Sequence, residues 1–527
     1  MTSRSPSLWA SCGLALLLAA CASTPRPDPV SVDLPAFWRA PLPHGGSTAT
    51  LADWWRAFPD PMLVTLIERA QVSNPNLEVA ASKHRQARAL VQQARASLLP
   101  QLGVSATSSR GGNLNNVPGI STQSDAQFNA SWEVDLFGGK RAQAEEQAAQ
   151  ADAALSDWHA ARVTLAADVA AAYVNLRLAQ AREEVAVLDG MLAAQLAGWG
   201  RQQQAAGLMN ASEAALLQTE ASLAVSRRSA QRAEAQVALQ ELALLLGAPA
   251  TSLAAELDAP ALPTVFAPPR RLPDVPPFMV QALPAGLLAQ RPDLAAAHQR
   301  WLAAVAHQRG VDAQRYPQLS LGALAGEARL RVGGESTASS LWSIGPSLSL
   351  PLFDGGARRA RSESARAEID EAAAALQAKW QAAVAEVEES LERMVATDDQ
   401  QREAESVARE WHGIARRAVL RAQAGMSSGP ERAASQRNAL TAYGDLLTAQ
   451  ADQAHAWFRL YRSLGGGWST DPAPSEPLAH PLRRAARAGI RRSSRCREVD
   501  PAHAGGVHGG GSGLQPHTAQ ERKTAPA

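Results

Sequence analysis

Cysteine is nearly absent from this chain of 527 residues. It occurs three times, at Cys12, Cys21 and Cys496, all close to the chain ends. Aromatic residues make up only 5% of the chain, and Trp (13) outnumbers both Tyr (4) and Phe (8). No disulfide framework can cross-link the long central part, which must be held together by its own packing or by assembly with other chains.

Long apolar runs are also missing. Beyond the N-terminal region, no stretch of the sequence approaches the roughly 18 uncharged apolar residues that a transmembrane helix needs. A chain that crosses a membrane without such a helix must do so with the strands of a β-barrel. Any membrane-spanning part should therefore be sought among alternating, strand-like patterns.

The first 20 residues predict an export signal. Arg4 supplies a positive charge, and Leu8–Ala20 is an uncharged stretch of 13 residues, too short for a membrane helix. The end of this stretch resembles a bacterial lipoprotein box, which predicts cleavage before Cys21 and a covalent lipid on its thiol. A plain signal cut near Ala22 is the alternative. Ala22, rather than Asp, follows the cysteine, and in the sorting rule this resembles, that favours the outer membrane.

Neither sign of charge dominates. The chain has 51 Lys and Arg against 50 Asp and Glu, a formal net charge of +1, so we expect no nucleic-acid partner. The sequence contains no phosphate-binding Walker loop and no His-Glu-x-x-His motif, and its histidines lack the spacing of metal ligands. We therefore predict no enzymatic activity, no metal and no cofactor apart from the lipid on Cys21, with an enzyme of unrecognised type as a minor alternative.

What the chain does contain is a second copy of its own landmarks. Pro75 and Pro292, Pro100 and Pro317, and Gly138 and Gly355 are each 217 residues apart. Three separated landmarks that keep one spacing indicate one structural unit used twice. The matching segments are Asn74-Pro75-Asn76-Leu77 with Arg291-Pro292-Asp293-Leu294, Leu99-Pro100-Gln101-Leu102 with Tyr316-Pro317-Gln318-Leu319, and Leu136-Phe137-Gly138-Gly139 with Phe353-Asp354-Gly355-Gly356.

Each half contains a predicted pair of strands. Polar and apolar residues alternate without exception over 125–136, which is typical of a transmembrane strand with one lipid face and one wet face. A soluble hairpin covering a core is the alternative, and Pro346 is unfavourable in a strand because it has no N–H donor. The predicted lipid-facing residues are Phe128, Trp132, Trp342, Ile344 and Leu348. The predicted lumen-facing residues are Asp125, Gln127, Asn129, Glu133 and Asp135.

Each predicted strand pair leads into a long stretch without proline. Residues 140–206 and 357–424 each predict a single helix, about 100 Å long at the usual rise per residue. Shorter helices are predicted at 61–99 and 209–246, and again at 430–464. Two short helices together match one long helix in length, so we expect them to stack end to end beside it.

These patterns divide the chain into six segments. The tail carries seven arginines between Arg483 and Arg497, and we predict that it is disordered and solvated, with a basic contact to a polyanion as a minor alternative. The segments are a signal peptide (1–20), a lipidated N-terminal segment (21–60), a first repeat (61–247, strand pair 101–136), a proline-rich linker (248–290), a second repeat (291–468, strand pair 318–352) and the Arg/Gly-rich tail (469–527).

Four membrane strands do not suffice for a closed barrel. Bacterial single-chain barrels begin at about eight strands, and four strands leave two edges whose backbone groups lipid cannot satisfy. If these strands span a membrane, the chain must therefore oligomerise, and the polar faces of its strands would then line a water-filled lumen.

Several segments together resemble the TolC/NodT family of outer-membrane efflux lipoproteins, the OprM-like outer-membrane factors. The resemblance covers about residues 21–468, and the motifs follow one another in the order and at the spacing of the family. They are the opening segment Asp53–Leu63, the repeat starts Asn74–Leu77 and Arg291–Leu294, the strand-to-helix segments Ser131–Gly138 and Leu350–Gly356, and the closing segment Leu460–Trp468.

This resemblance implies a mainly α protomer with membrane β-strands, internally duplicated, of a homotrimeric channel. Three copies would share a twelve-stranded β-barrel, surrounded by outer-membrane lipid, above a long antiparallel α-helical barrel in the periplasm. It further implies passive conduction of small toxic compounds or drugs to the exterior from a periplasmic adaptor and an inner-membrane pump, of RND type. The alternatives are a conduit for type I protein secretion and a non-channel coiled-coil lipoprotein that tethers periplasmic components.

The family's periplasmic gate and adaptor-docking turns correspond here to 207–213 and 425–431. The family usually has Leu-Asp at the last two positions, where this chain has Ser212-Glu213 and Pro430-Glu431. The sequence therefore does not determine whether the gate is closed at rest. Glu431 is either part of a threefold carboxylate ring that attracts cations or an ordinary acid at a helix start. The predicted gate and docking residues are Gly207, Glu213, Gly425, Pro430 and Glu431.

Overall fold

The computed structural model describes residues 55–56, 58–112, 119–257, 272–276 and 291–466. The chain divides into two units, Met1–Ser475 and Glu476–Ala527, and every described residue belongs to the first. The predicted signal peptide, Cys21 and the arginine-rich tail lie outside the described residues. The helices are α1 (Pro61–Ser73), α2 (Pro75–Ala96), α3 (Gly139–Ala205), α4 (Ala211–Leu246), α5 (Ala250–Leu257), α6 (Pro292–Ala313), α7 (Ala357–Gln423) and α8 (Gly429–Ser463), and the strands are β1 (Gln101–Gly112), β2 (Ile120–Val134), β3 (Gln318–Val332) and β4 (Glu335–Ser349).

The single helix predicted over 61–99 is wrong, because the structure has two helices that meet at Asn74. Pro75 occupies the first turn of α2, where a missing N–H costs nothing. The Asn74 carboxamide oxygen accepts hydrogen bonds from the backbone N–H groups of Asn76 (2.8 Å) and Leu77 (3.1 Å), which caps α2. Its amide nitrogen donates to the Leu245 carbonyl at 2.8 Å, near the end of α4. One side chain therefore starts α2 and ties it to α4.

Arg291 has the same position in the second repeat and makes the same link by other means. Its guanidinium donates to the Ser463 carbonyl (2.8 Å) at the end of α8, and to Asp293 and Glu386. Burial would lower the pKa of Arg291, but hydrogen bonds and attraction from Asp293 and Glu386 raise it above its ordinary value. In both repeats, two short helices are joined end to end at this position.

The long helices α3 and α7 contain 67 residues each and so run for about 100 Å. Each begins after a glycine in the left-handed region, Gly138 (φ 77°) or Gly356 (φ 92°). Each ends just before another, Gly207 (φ 70°) or Gly425 (φ 73°). Residues with a Cβ rarely adopt these angles, so the four glycines set the bounds of both helices.

The helices form four neighbouring columns. α3 packs against α2, α4, α6 and α8, whereas α7 packs against α6 and α8. Since α2 and α4 share one column and α6 and α8 another, the order across the protomer is α2/α4, α3, α6/α8, α7. Among the described residues, no further helix packs against the outer flanks of the first and last columns.

The strands form one antiparallel sheet in the order β1-β2-β3-β4. The central pairing joins the two repeats: Phe128 lies opposite Ala325, and Trp132 lies opposite Leu321. The helices join the sheet only at one end of the strands, while the β1–β2 and β3–β4 connections lie at the other end. β1 and β4 are the two open edges.

The main apolar core lies near the middle of α3 and α7, where the short helices meet. Tyr173 on α3 is buried there, and its hydroxyl donates to Asp60 at 2.7 Å. Within the predicted linker 248–290, α5 forms and buries Leu253 and Leu257 in this core. The core thus holds the N-terminal helix, the linker and both repeats together.

Within the described residues, no individual helix combines the length and the hydropathy needed to cross a membrane. Helices α4 and α5 meet both criteria when they are taken together, although they are bent by 112° relative to each other.

Candidate conduction pathway

One face of the sheet carries rows of apolar positions that cross all four strands. The register places Val104, Phe128, Ala325 and Trp342 in one row across the sheet, and the next row contains Leu102, Ala130, Ala323 and Ile344. Large apolar side chains on this face are exposed in the protomer: Phe128 by 60%, Trp342 by 77%, Ile344 by 78% and Leu348 by 68%. An exposed apolar surface of this extent is unfavourable in water and is typical of a site that contacts a membrane or another protein.

Trp132 lies on the same face but is partly covered. Its indole N–H donates to the Leu98 carbonyl at 2.9 Å, just before β1. This bond fixes the ring at the helix-proximal end of the sheet. An indole with an apolar ring and a satisfied N–H is typical of a position at a membrane interface.

The opposite face of the sheet is polar and hydrogen-bonded along β1 and β2, whereas β3 contributes Leu324, Leu330 and Val332 to it. Asp125 accepts a hydrogen bond from the Thr107 hydroxyl (2.7 Å), and Asn129 donates to Ser105 (2.8 Å). Gln127 and Glu133 lie on this face too, and Glu133 pairs with Lys140 at 3.2 Å. The predicted lumen residues within β2 therefore share one face.

Asp135 follows β2 and has a different role from the other four predicted lumen residues. Its carboxylate accepts hydrogen bonds from the backbone N–H groups of Lys140 and Arg141, both at 3.0 Å, and pairs with the Arg141 side chain at 3.1 Å. Burial alone would raise the pKa of Asp135, but these hydrogen bonds outweigh it and hold the pKa below 3.8. Sequence alternation missed this role, since Asp135 caps the first turn of α3.

The second repeat uses Asp354 in the same way. Its carboxylate accepts from the N–H groups of Gly356 (3.1 Å) and Arg358 (3.3 Å) and pairs with the Arg358 side chain. Asp135 and Asp354 do not keep the 217-residue spacing, since Asp135 lies three residues before Gly138 and Asp354 lies two residues before Gly356. The repeat is conserved in its chemistry here rather than in its residue count.

Pro346 lies within β4, opposite Leu321. A missing N–H is tolerated on an edge strand more easily than in the middle of a sheet. β4 has one neighbouring strand within the protomer, and the strand forms despite the missing donor of Pro346.

The two helix turns at the far pole are built alike. Asn210 caps α4 by accepting from the Glu213 N–H (2.8 Å), and Ser428 caps α8 by accepting from the Glu431 N–H (3.2 Å). Pro430 lies in the first turn of α8. Glu431 also pairs with Arg421 at 3.5 Å. These contacts support an acid at a helix start and partly neutralise any carboxylate ring at Glu431.

A tryptophan connects the two turns. Trp199 on α3 packs against Gly429, where an added Cβ would lie only 2.7 Å from Cζ2 of the ring. The guanidinium of Arg432 lies over the same ring, 5.8 Å from its centroid. The sequence pattern did not single out Trp199, because an isolated tryptophan in a long helix carries no positional signal.

The segment 425–429 reads Gly-Met-Ser-Ser-Gly and so matches the Gly-x-Ser-x-Gly pattern of hydrolases by residue type. That pattern has meaning where a strand turns sharply into a helix and exposes the serine. Here the segment joins helix α7 to helix α8, and the Ser427 hydroxyl is buried without a hydrogen-bond partner among the described residues. The match therefore supports no catalytic assignment.

The described residues contain no group of three or more His, Cys, Asp or Glu placed to hold a metal ion. The described residues instead form surfaces: an apolar sheet face, a more polar sheet face and two capped turns at the opposite pole.

Comparison with known proteins places this architecture. The family model described as outer membrane efflux protein matches residues 66–248 and 283–466. The pyoverdine export outer membrane protein OpmQ of Pseudomonas putida is 31% identical over 484 residues, 87% of this chain and 97% of that protein. The solvent efflux pump outer membrane protein SrpC of Pseudomonas putida is 27% identical over 473 residues, 86% of this chain and 97% of that protein. The solved outer-membrane channel OprN aligns with a TM-score of 0.69 at 27% identity, covering 85% of this chain and 98% of that one. The chain therefore belongs to the outer membrane efflux protein family.

Proposed function

We propose that this outer-membrane efflux channel is the homotrimeric exit duct of a tripartite system, which receives small toxic compounds from an inner-membrane pump of RND type through a periplasmic adaptor. The duct itself is passive, and its selectivity for compounds lies mainly in the pump. This proposal rests mainly on one observation: the open edges of the sheet and the open flanks of the helical layer lie on corresponding sides of the protomer.

The open edges lie on corresponding sides. β1 follows directly from α2, which belongs to the first helix column, and β4 leads directly into α7, which is the last column. A neighbouring copy that offers β4 to β1 therefore also offers α7 to α2 and α4. A head-to-tail contact of this kind closes into a ring when its rotation allows. Three copies then satisfy every strand edge, as a membrane requires.

An apolar stripe on α4 supports the same contact. Leu216, Leu223, Ala230, Val237 and Leu244 recur at intervals of seven residues and are exposed in the protomer. A sustained seven-residue repeat is the pattern by which one helix packs along another. Since α4 belongs to a column with a free flank, this stripe is a surface for α7 of the next copy.

We further propose that the polar sheet face lines the lumen, with Asp125, Gln127, Asn129 and Glu133 in contact with water and solutes. The apolar face, with Phe128, Trp132, Trp342, Ile344 and Leu348, then faces lipid. Covering the exposed apolar rows with lipid removes the cost of leaving them in water.

The turns at the far pole are the proposed gate and adaptor-docking surface. Gly207 and Gly425 allow both hairpins to reverse tightly, and Glu213, Pro430 and Glu431 start the returning helices. Asn210 and Ser428 cap the returning helices, and the Glu431 carboxylate pairs with Arg421, so the surface offers mixed polar groups to a partner.

The test introduces a lysine separately at two neighbouring positions of β2, whose side chains lie on opposite faces of the sheet. We expect F128K to lose the trimer from the outer-membrane fraction, because it puts a charge against lipid, and Q127K to keep it. The readouts are native mass after detergent extraction and efflux of a fluorescent dye in a host supplied with a matching adaptor and pump. Tolerance of both variants would contradict the membrane barrel and favour a tethering lipoprotein. A trimer that never supports dye efflux would contradict small-molecule conduction.

A further inference from the structure

The charged residues of the sheet are sorted by sign between its two faces. The described strands contain three arginines, Arg110, Arg329 and Arg331, and no lysine. All three share the face of Phe128 and Trp342, because each lies an even number of residues from those rows in the register. The carboxylates Asp125, Glu133 and Glu335 lie on the opposite face, and only Glu327 lies with the arginines.

The three arginines form one patch. Arg110 and Arg331 both lie opposite Thr122, from its two sides, so their Cα atoms are about 10 Å apart. Arg329 precedes Arg331 by two residues and lies about 7 Å from it on the same face. All three side chains are exposed. Guanidinium groups on side chains of this length can converge on one anionic group.

The patch lies just beyond the apolar band, at the end of the sheet far from the helices. The apolar rows run along β2 from Val134 to Ala126, about 27 Å of strand. At the usual strand tilt this corresponds to roughly 20 Å of height, comparable with the lipid-facing band of outer-membrane barrels. Arg329 comes four residues after Ala325, which lies in the row of Phe128. This position corresponds to the headgroup level of the outer leaflet.

The described residues provide no partner for the patch. None of the three arginines has an ion-pair or hydrogen-bond partner in the part of the chain that the structure describes. The strand that a neighbouring copy would place beside β1 is β4, which presents Ser336, Ala338 and Ser340 on this face at this level. Closing the ring therefore supplies no described acid to Arg110.

We propose that Arg110, Arg329 and Arg331 bind the phosphate groups of phosphorylated lipids in the outer leaflet. Bidentate contacts between guanidinium and phosphate are among the strongest charge-assisted hydrogen bonds. The three arginines outnumber the one carboxylate on this face, Glu327, so the patch is attractive to anions. This contact anchors the barrel at a fixed height and is independent of which compounds pass through the channel.

The experiment uses the full-length trimer purified in detergent and native mass spectrometry with bis-phosphorylated lipid A as the probe. We expect the R110Q/R329Q/R331Q variant to retain lipid A about tenfold more weakly than the wild type, and lipid A without phosphates to bind the wild type equally weakly. E327Q is the matched control on the same face, and it should bind at least as well as the wild type. Channel conductance should be unchanged in all of these variants.

Three results would overturn the assignment: equal retention by the triple variant, equal binding of the dephosphorylated lipid, or displacement by excess inorganic phosphate, which would indicate a site for free phosphate. If the triple variant does not assemble, R329Q alone and R110K/R329K/R331K decide the matter. The lysine variant keeps the charge and should retain most of the binding, whereas R329Q should lose part of it. The opposite order would contradict a role for the arginines in binding phosphate.

Discussion

Single carboxylates begin the two longest helices of this channel. Gly138 and Gly356 turn the chain but offer no side chain to the first N–H groups of α3 and α7. Asp135 and Asp354 reach across the turn and accept those hydrogen bonds, and each also pairs with an arginine of the first helical turn. A negative charge at a helix N-terminus is favourable with respect to the helix dipole as well.

Replacing Asp135 with Asn should lower the stability of the trimer by about 1 kcal/mol at neutral pH. The pKa of Asp135 is held below 3.8 in the folded state, so its charged form stabilises the fold above that pH, and this contribution is lost as the pH falls through the folded-state pKa. The melting temperatures of wild type and D135N, measured in detergent at one scan rate, should therefore converge in acid. D370N, at an exposed position on α7, should match the wild type at both pH values. A constant difference between D135N and wild type across the pH range would contradict the capping role.

The two repeats allow a residue exchange at the helix joint. R291A should destabilise the protein by about 2 kcal/mol, because it removes charged hydrogen bonds to Ser463 and Asp293 from a side chain that is only 7% exposed. R291N places the residue of the first repeat there, and it should recover part of the loss by capping α6 as Asn74 caps α2. Thermal unfolding of both variants measures the difference. Equal losses would show that the joint depends on charge rather than on capping.

At the scale of secondary-structure elements, the sequence predicted features that depend on local patterns better than it predicted contacts between distant segments. The period of two in 125–136 predicted the strand and both of its faces, since one step of slippage would exchange the lipid and lumen sets. The glycines after the strand pairs predicted where α3 and α7 start to within a residue. The break at Asn74 was missed because apolar periodicity continues across it. The pairing of β2 with β3 and the contact of Trp199 with Gly429 join segments about 200 residues apart, and no local pattern carries them.

The contact between Trp199 and Gly429 links the first hairpin, α3 and α4, to the second, α7 and α8. A glycine at such a contact permits close approach of two helices, and the ring of Trp199 occupies the space where a Cβ of residue 429 would be. Any motion that separates the two turns must first break this contact. The contact between Trp199 and Gly429 therefore stabilises the proposed gate within each protomer, in addition to contacts between protomers.

G429A should destabilise the trimer by about 1–3 kcal/mol, because its methyl group would overlap the Trp199 ring. G444A, in the same helix with no atom within 4 Å of the added Cβ, should instead stabilise it by about 0.5–1 kcal/mol. In the G429A/W199A double variant, the cost should not exceed that of W199A alone, since the clash is gone. Melting temperatures and the basal conductance in planar bilayers provide the measurements. Additive losses would place the strain of G429A elsewhere.

At the scale of the whole molecule, duplication and trimerisation together produce a tube from one repeated unit. One repeat supplies two strands and two helix columns, and one chain supplies twice that with matching open edges. The charges of the described strands then separate by face, with the arginines outside the proposed barrel and every carboxylate except Glu327 inside it. The wall of the proposed lumen is therefore negatively charged, even though the chain as a whole is almost neutral, with a net charge of +1.

Asp125 contributes most directly to the negative charge of the proposed lumen. Glu133 is paired with Lys140, whereas Asp125 accepts only a hydroxyl hydrogen bond from Thr107 and has no ion pair among the described residues. Three copies of an unpaired carboxylate around a narrow lumen favour cations. D125N should therefore move the reversal potential in a KCl gradient toward zero, and the effect should be larger at low ionic strength, where screening is weaker.

Glu327 provides the control for this prediction. It adjoins Ala328, the residue opposite Asp125, but lies on the other face of the sheet. E327Q removes a charge at nearly the same height and should leave the reversal potential unchanged, because lipid and the barrel wall separate it from the conducting ions. A shift with E327Q and none with D125N would mean that the two faces are assigned the wrong way round, and with them both the lumen and the outer-leaflet patch.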